Sequence, residues 1–177
     1  MSYEQDYWNS RYERGINSGA GSYGVFVERK LDFIKELEGV KSISEYGCGD
    51  FNLGKNVMKI FPEATYIGND VSDVIVKRNT ECFPQAKFTL DKELPPADLV
   101  MCVDVLLHIM KEEDVEDLLN RIEKSWTKYL VISAYDRNEE KTNHVRIRKF
   151  DHSRFGDPIL KEICEEDGEH YLYIFKK

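Results

Sequence analysis

The stretch that most constrains this chain is Lys41-Ser-Ile-Ser-Glu-Tyr-Gly-Cys-Gly-Asp-Phe-Asn-Leu-Gly54. Ser42 to Tyr46 reads as a short strand that stops at Gly47-Cys48-Gly49, after which Leu53, Val57 and Ile60 recur at helical spacing. Strand, glycine turn and helix N-terminus together predict a ligand site. Glycine accepts positive φ and lets main chain approach a bound molecule closely, while the helix start offers N–H groups and the positive end of a dipole. The expected occupant is a nucleotide-like cofactor at the carboxyl end of the first strand of an α/β sheet. The glycine spacing departs from G-x-G-x-x-G, because Asn52 stands at the third glycine position and the next glycine is Gly54. On its own the glycine pair fits a tight βα turn equally well.

Two acids narrow the reading. Glu45 lies two residues before Gly47, at the end of the strand, and Ala64-Thr-Tyr-Ile-Gly-Asn-Asp70 reads as a second strand closed by an acid. Asp70 falls about 20 residues past the glycines, where an acid in such folds takes both ribose hydroxyls through charge-assisted bonds. Glu45-Tyr-Gly-Cys-Gly-Asp50, Tyr66-Ile-Gly-Asn-Asp-Val-Ser72 and Asp98-Leu-Val-Met-Cys-Val-Asp-Val105 resemble the successive motifs of the class I S-adenosylmethionine-dependent methyltransferases. The resemblance spans roughly residues 41 to 135. Tyr7-Trp8, Arg11-Tyr12, Gly15 and Ser18-Gly-Ala-Gly-Ser-Tyr-Gly24 resemble the leader of a small bacterial and phage-borne branch.

The resemblance implies a Rossmann-like three-layer α/β/α sandwich. Its sheet would be seven-stranded and mostly parallel, with a C-terminal antiparallel hairpin. It implies S-adenosylmethionine as cofactor, held by Glu45, Gly47, Cys48, Gly49, Asp70, Val71, Asp91, Lys92, Val103 and Asp104. Asp91 would accept from the adenine amine with Lys92 beside it; the alternative is a turn aspartate before Pro95-Pro96.

Residues 1–24 are expected to form a lid or leader on a methyltransferase domain at 25–177. Glu4 to Arg14 reads as a short helix and Ser18 to Gly24 as a hinge. Trp8 and Tyr23 would cover the cofactor and Arg11 would face its carboxylate; the alternative is a plain flap and linker. Val27, Leu31, Ile34 and Leu37 mark a core-packing helix between Tyr23 and Glu38. Phe61-Pro62 breaks the helix after the glycine turn, and Ser72 caps the next one, to about Asn79. Ala86 to Leu90 is the third strand. Ala97 to Val103 is an almost unbroken apolar run, as a central parallel strand requires. The end of such a strand faces cofactor and substrate, which makes Asp104 and His108 the best-placed groups for acid–base chemistry. A lone histidine in an apolar stretch also fits a structural role. Lys111 to Lys124 is a helix with an acidic start, and Tyr129 to Ala134 the fifth strand.

The segment 136–149 reads as a polar loop in which His144, Arg146 and Arg148 would share one side if extended. With Tyr23 they are the expected substrate-binding residues, holding an anionic group, or else they are surface charges. Ile159 to Cys164 and His170 to Phe175 read as a hairpin turning at Asp167-Gly168.

The net charge of −8, from 25 basic and 33 acidic residues, argues against broad contact with nucleic acid. Cys48, Cys82, Cys102 and Cys164 form no C-x-x-C pair, which fits reduced thiols in a cytoplasmic protein and no metal cluster. No apolar run approaches a membrane span. The leading expectation is methyl transfer to a small-molecule acceptor. Its competitors are a nucleic-acid or protein methyltransferase, a non-catalytic cofactor-binding module, and an NAD-dependent oxidoreductase.

Overall fold

The computed structural model describes residues 2–142, 144–163 and 169–177, with the side chains of residues 140 and 141 set aside. Cys164 and the expected Asp167-Gly168 turn lie outside the described residues.

A leader helix α1 (Tyr3–Glu13) and a 3₁₀ turn (Ala20–Ser22) precede α2 (Gly24–Ile34). Strands and helices then alternate: β1 (Ser42–Tyr46), α3 (Asn52–Ile60), β2 (Thr65–Asn69), α4 (Asp73–Cys82), β3 (Lys87–Thr89), β4 (Ala97–Cys102), a 3₁₀ turn (Leu106–His108), α5 (Glu112–Ser125) and β5 (Trp126–Tyr135). The chain continues through β6 (Glu139–Thr142), β7 (Val145–Ile147), a 3₁₀ turn (His152–Phe155), β8 (Leu160–Ile163) and β9 (His170–Lys176).

The main sheet is seven-stranded, in the order β3-β2-β1-β4-β5-β9-β8. β1 pairs in parallel with both β2 and β4, and β4 pairs in parallel with β5. β9 runs antiparallel to β5 and β8 antiparallel to β9. This is the expected Rossmann-like sandwich with its antiparallel C-terminal hairpin.

β4 lies at the centre, and its alternation divides the core. Leu99 and Met101 join the cluster under α2 and α3, with Ile34 and Val57, whereas Val100 and Cys102 join the one under α5, with Leu119 and Ile122. A strand covered on both faces has no solvent side, which is why its sequence is apolar at nearly every position. Ser72 caps α4 as expected, its hydroxyl accepting from Ile75 N at 3.3 Å.

Two local features depart from the sequence reading. Residues 139–147 are a separate antiparallel two-stranded ribbon, β6 and β7, not an irregular loop. Its polar composition hid the pairing, because a ribbon that packs against loops needs no alternating apolar face. At the turn into α3, Phe51 adopts φ 65°, the left-handed conformation that favours glycine. That backbone costs roughly 1–2 kcal/mol in an L-residue. Phe51 is fully buried and packs its ring on Tyr66, Phe83 and Phe88, with centroids 4.9–5.0 Å away. Burying such a ring stabilises by about 1.5–3 kcal/mol, enough to hold the strained turn.

Candidate active site

A cavity of about 500 Å³ opens at the carboxyl ends of β1, β2 and β4. Gly47 (φ 69°) and Gly49 (φ 50°) form its floor. A Cβ on Gly47 would overlap the Val105 side chain, and one on Gly49 would overlap Ser18. Only glycine leaves room there.

The main-chain N–H groups of this turn are already engaged. Gly47 N donates to Asn69 Oδ1 (3.3 Å), Cys48 N to Asn69 O (2.8 Å) and Gly49 N to Asp70 Oδ2 (3.0 Å). Asp50 N donates to Ser18 Oγ (2.8 Å), Phe51 N to Cys48 O (3.0 Å) and Asn52 N to Asp50 Oδ1 (3.4 Å). The expected grip by free N–H groups is therefore corrected from Gly47 to Asn52: the turn is self-satisfied and offers a ligand its shape. The polar groups left facing the cavity are side chains.

Asp70 is one of these. It accepts from Gly49 N and, at 2.9 Å, from Ser72 N, which fixes the carboxylate at the rim and leaves lone pairs for further donors. Burial raises its pKa to about 6, against the pull of the Ser72 and Gly49 amides. Glu45 is 3% exposed and accepts from the Tyr66 hydroxyl; burial pushes its pKa to about 8 although that bond pulls the other way. Gly54 makes the space for this pair, since a Cβ there would lie 2.5 Å from Glu45 Oε2 and 2.7 Å from Tyr66 OH.

Asp104 sits just past β4 with φ 59°. Its N–H donates to Ser133 Oγ (2.6 Å), the Ser133 hydroxyl donates to its Oδ1 (2.8 Å), and Lys30 forms an ion pair with its Oδ2. Lys30 is 1% exposed and also donates to Gly21 O at 2.9 Å. Burial pushes the Asp104 carboxyl up, but Lys30, His170 and Ser133 outweigh it and hold the pKa below the usual range. A carboxylate held this way is a weak proton acceptor, which disfavours the expectation of Asp104 as a base.

His108 lines the cavity from the 3₁₀ turn after β4. Its Nδ1 lies 3.0 Å from His144 O, a group that can only accept, so Nδ1 carries the proton and Nε2 is bare. Burial lowers its pKa, outweighing the nearby Asp104 charge. The imidazole is thereby kept neutral, as a general base must be.

The leader roofs the cavity. Trp8 and Tyr12, with Glu4 a further turn away, lie on one face of α1 and line it. Trp8 stacks on Tyr12 (5.6 Å) and meets His108 edge-on (5.0 Å). Asp50 pins the loop below by accepting from Ser18 N (2.9 Å) and the Tyr23 hydroxyl (2.6 Å).

Of the other expected cofactor residues, Cys48, Val71, Lys92 and Val103 line the cavity. Several expected residues stand outside its wall. Arg11 donates to Asn17 O (2.6 Å) and lies 5.7 Å over Trp8; Tyr23 is taken by Asp50; and Asp91 presents its carbonyl to Asn69 Nδ2 (2.9 Å). The expected anion cradle is also corrected. Arg148 donates to Glu112 (2.8 Å), Ile109 O (2.7 Å) and Met110 O (3.0 Å), and Arg146 donates to Met110 O (3.1 Å). These arginines staple the half-buried segment after β4 by donating to its carbonyls. His144 stacks on Tyr7 at 4.4 Å. Lys30, Tyr12, Ser18 and Asn69 were missed. Lys30 carried a signal: it lies three residues from Val27 and four from Ile34, on the apolar face of α2.

The glycine turn, the acid after β2, and a parallel sheet extended by antiparallel β9 and β8 define a class I methyltransferase fold built around S-adenosylmethionine. A family model for the O-methyltransferase domain matches residues 1–144, and the chain belongs to that family. The structure is similar to magnesium protoporphyrin IX methyltransferase of Synechocystis PCC 6803 with bound S-adenosylmethionine (TM-score 0.68, 18% identity, 99% of this chain and 96% of that one). It is also similar to the N-methyltransferase NodS of Bradyrhizobium japonicum WM9 in complex with S-adenosylhomocysteine (TM-score 0.70, 12% identity, 99% of each chain). Human N-acetylserotonin methyltransferase is a third likeness (TM-score 0.59, 15% identity), of which the chain spans 55%. No curated protein sequence matches the chain. Among the described residues there is no helix long and apolar enough to cross a membrane and no group of side chains that could hold a metal ion.

Proposed function

We propose that the protein methylates a hydroxyl of a small-molecule acceptor, with His108 as general base. The observation that carries this is His108 itself: a half-buried, neutral imidazole in the cofactor cavity, its Nδ1 on a main-chain carbonyl and its Nε2 available. Glycine shape at Gly47 and Gly49, the Asp70 carboxylate and the Trp8–Tyr12 roof fit the adenosyl cofactor. When bound, S-adenosylmethionine supplies an already activated methyl group.

The chain's own work is then alignment, exclusion of water and one proton. Main chain at Gly47 and Gly49 lets the ligand lie close, and Asp70 orients its ribose. Trp8 and Tyr12 close the top. His108 Nε2 takes the acceptor's proton as its oxygen becomes the nucleophile. Asp104 stays ionised nearby and stabilises the imidazolium that results. The Lys30–Asp104 pair holds the end of β4 in the conformation that presents His108.

The net charge of −8 supports a small acceptor over nucleic acid. Free, buried Cys48 and Cys102 suit a reducing cytoplasmic setting. Calorimetric titration with S-adenosylmethionine, S-adenosylhomocysteine and NAD, paired with a labelled-methyl screen of hydroxylated acceptors, tests the reading. The first two ligands should bind, and Asp70→Asn should weaken them about ten- to a hundredfold, the worth of a charge-assisted bond. His108→Gln should lower turnover about 10²- to 10⁴-fold with cofactor binding retained. Tight cofactor binding with no transfer to any acceptor would instead favour a non-catalytic binding module.

A further inference from the structure

His108 is held from the β6–β7 ribbon and from the leader, through residues that do not line the cavity. Its orienting acceptor is the main-chain oxygen of His144, at the turn between β6 and β7. That turn is placed in its own right. His144 Nδ1 lies 3.2 Å from Thr142 Oγ1, and the imidazole stacks on Tyr7 of the leader helix at 4.4 Å and 18°. The same ring lies parallel to His108, 6.0 Å away. On the other side, Arg146 and Arg148 tie β7 to Met110 O at 3.1 and 3.0 Å, and Glu4 of the leader accepts from Met110 N at 3.2 Å. The ribbon, the leader and the segment carrying His108 thus meet at one joint.

We propose that Tyr7 is a positioning residue that arms His108: by seating the ribbon against the leader, it keeps His144 O on Nδ1 and so keeps the proton off Nε2. The inference rests on the reading of His108 as the base. Without an acceptor at Nδ1, a neutral imidazole side chain prefers its proton on Nε2, the tautomer that cannot take one from a hydroxyl. Tyr7 lies outside the cavity wall and meets the lining Trp8 edge-on at 5.3 Å, so an effect through Trp8 would be read as lost ligand affinity and an effect through His144 as a changed tautomer. The leader also lines the cavity through Trp8 and Tyr12. Any movement of the leader away from the ribbon takes Tyr7 off His144, so the base is armed only while the leader is seated. The titratable and charged groups facing His108 from neighbouring elements are Asp104, His144 and Arg11, and its Nδ1 is on the carbonyl of His144.

The test is long-range ¹H–¹⁵N correlation NMR on histidine-labelled protein saturated with S-adenosylhomocysteine, which reads each tautomer without any acceptor substrate. His108 should be Nδ1-protonated in the wild type and with Tyr7→Phe, which keeps the stack. With Tyr7→Ala it should move toward the Nε2-protonated form, while S-adenosylhomocysteine affinity stays within about threefold. On a turned-over acceptor, Tyr7→Ala should lower kcat roughly tenfold with KM little changed, and Tyr7→Phe should restore it. An Nε2-protonated His108 in the wild type, or an unchanged tautomer in Tyr7→Ala, overturns the proposal. Undiminished turnover in His108→Gln with the predicted tautomers in place would instead remove the base assignment and leave the joint intact.

Discussion

Glu45 gives a stability prediction that needs no substrate. The carboxyl is buried against Tyr66 and its pKa is raised from an ordinary 4.5 to about 8. The fold therefore binds a proton more tightly than the unfolded chain does between those two values. Stability falls as pH rises wherever the folded state holds the extra proton. The Glu45 contribution is accordingly neutral below about pH 4.5, declines through the window, and is fully adverse above about pH 8. At about 1.4 kcal/mol per pH unit the whole decline is on the order of 4–5 kcal/mol. Glu45→Gln keeps an oxygen to accept from Tyr66 and cannot ionise. Urea denaturation of both proteins without ligand at intervals from pH 5 to 9 should show them nearly equal at pH 5. The variant should be ahead by about 2 M in midpoint at pH 9, for a slope near 2 kcal/mol/M. Asp70, raised to about 6, adds a decline of the same sign at lower pH, but it is common to both proteins and cancels in the difference. A gap that does not change with pH would refute the reasoning and place an ionised Glu45 in the fold at neutral pH.

Further outcomes follow from the same geometry. Lys30→Met should cost about 3–5 kcal/mol by urea denaturation, because it leaves Asp104 buried without its cation, and the double variant Lys30→Met/Asp104→Asn should recover much of that loss. Phe51→Ala should cost about 3–5 kcal/mol, whereas Phe51→Gly should cost slightly less than the alanine variant, because glycine relieves the positive φ while losing the same ring. Gly54→Ala should destabilise by about 1–3 kcal/mol and disturb the Glu45–Tyr66 bond, visible as a changed pH profile of unfolding.

The motif strands were legible because each obeys a local rule. β1 ends where glycines permit positive φ, β2 ends at an acid, and β4 is apolar on both faces. Those same rules led to Glu45, Asp70 and His108. What misled was treating a residue's type as its task. His144, Arg146 and Arg148 looked like an anion cradle on spacing, yet the turn after β4 has carbonyls without donors, and the two arginines are used there. Asp91 and Arg11 had suitable charge near suitable motifs, but neither lines the cavity, and Arg11 is taken by the carbonyl of Asn17.

Sequence by itself determined the order of the main-sheet strands and their helices, the glycine turn, the acid after β2 and the resemblance to a methyltransferase class, because these depend on neighbours a few residues apart. Only the tertiary structure decided which ionisable groups meet. Lys30 finds Asp104 across 74 positions of chain, His108 finds the carbonyl of His144 across 36, and Ser18 finds Asp50 across 32. A partner that distant is set by how the sheet brings strand ends together and where the leader comes to rest. Those contacts fix the charge on Asp104, the tautomer of His108 and the closure of the cavity, and no local pattern of residues contains them.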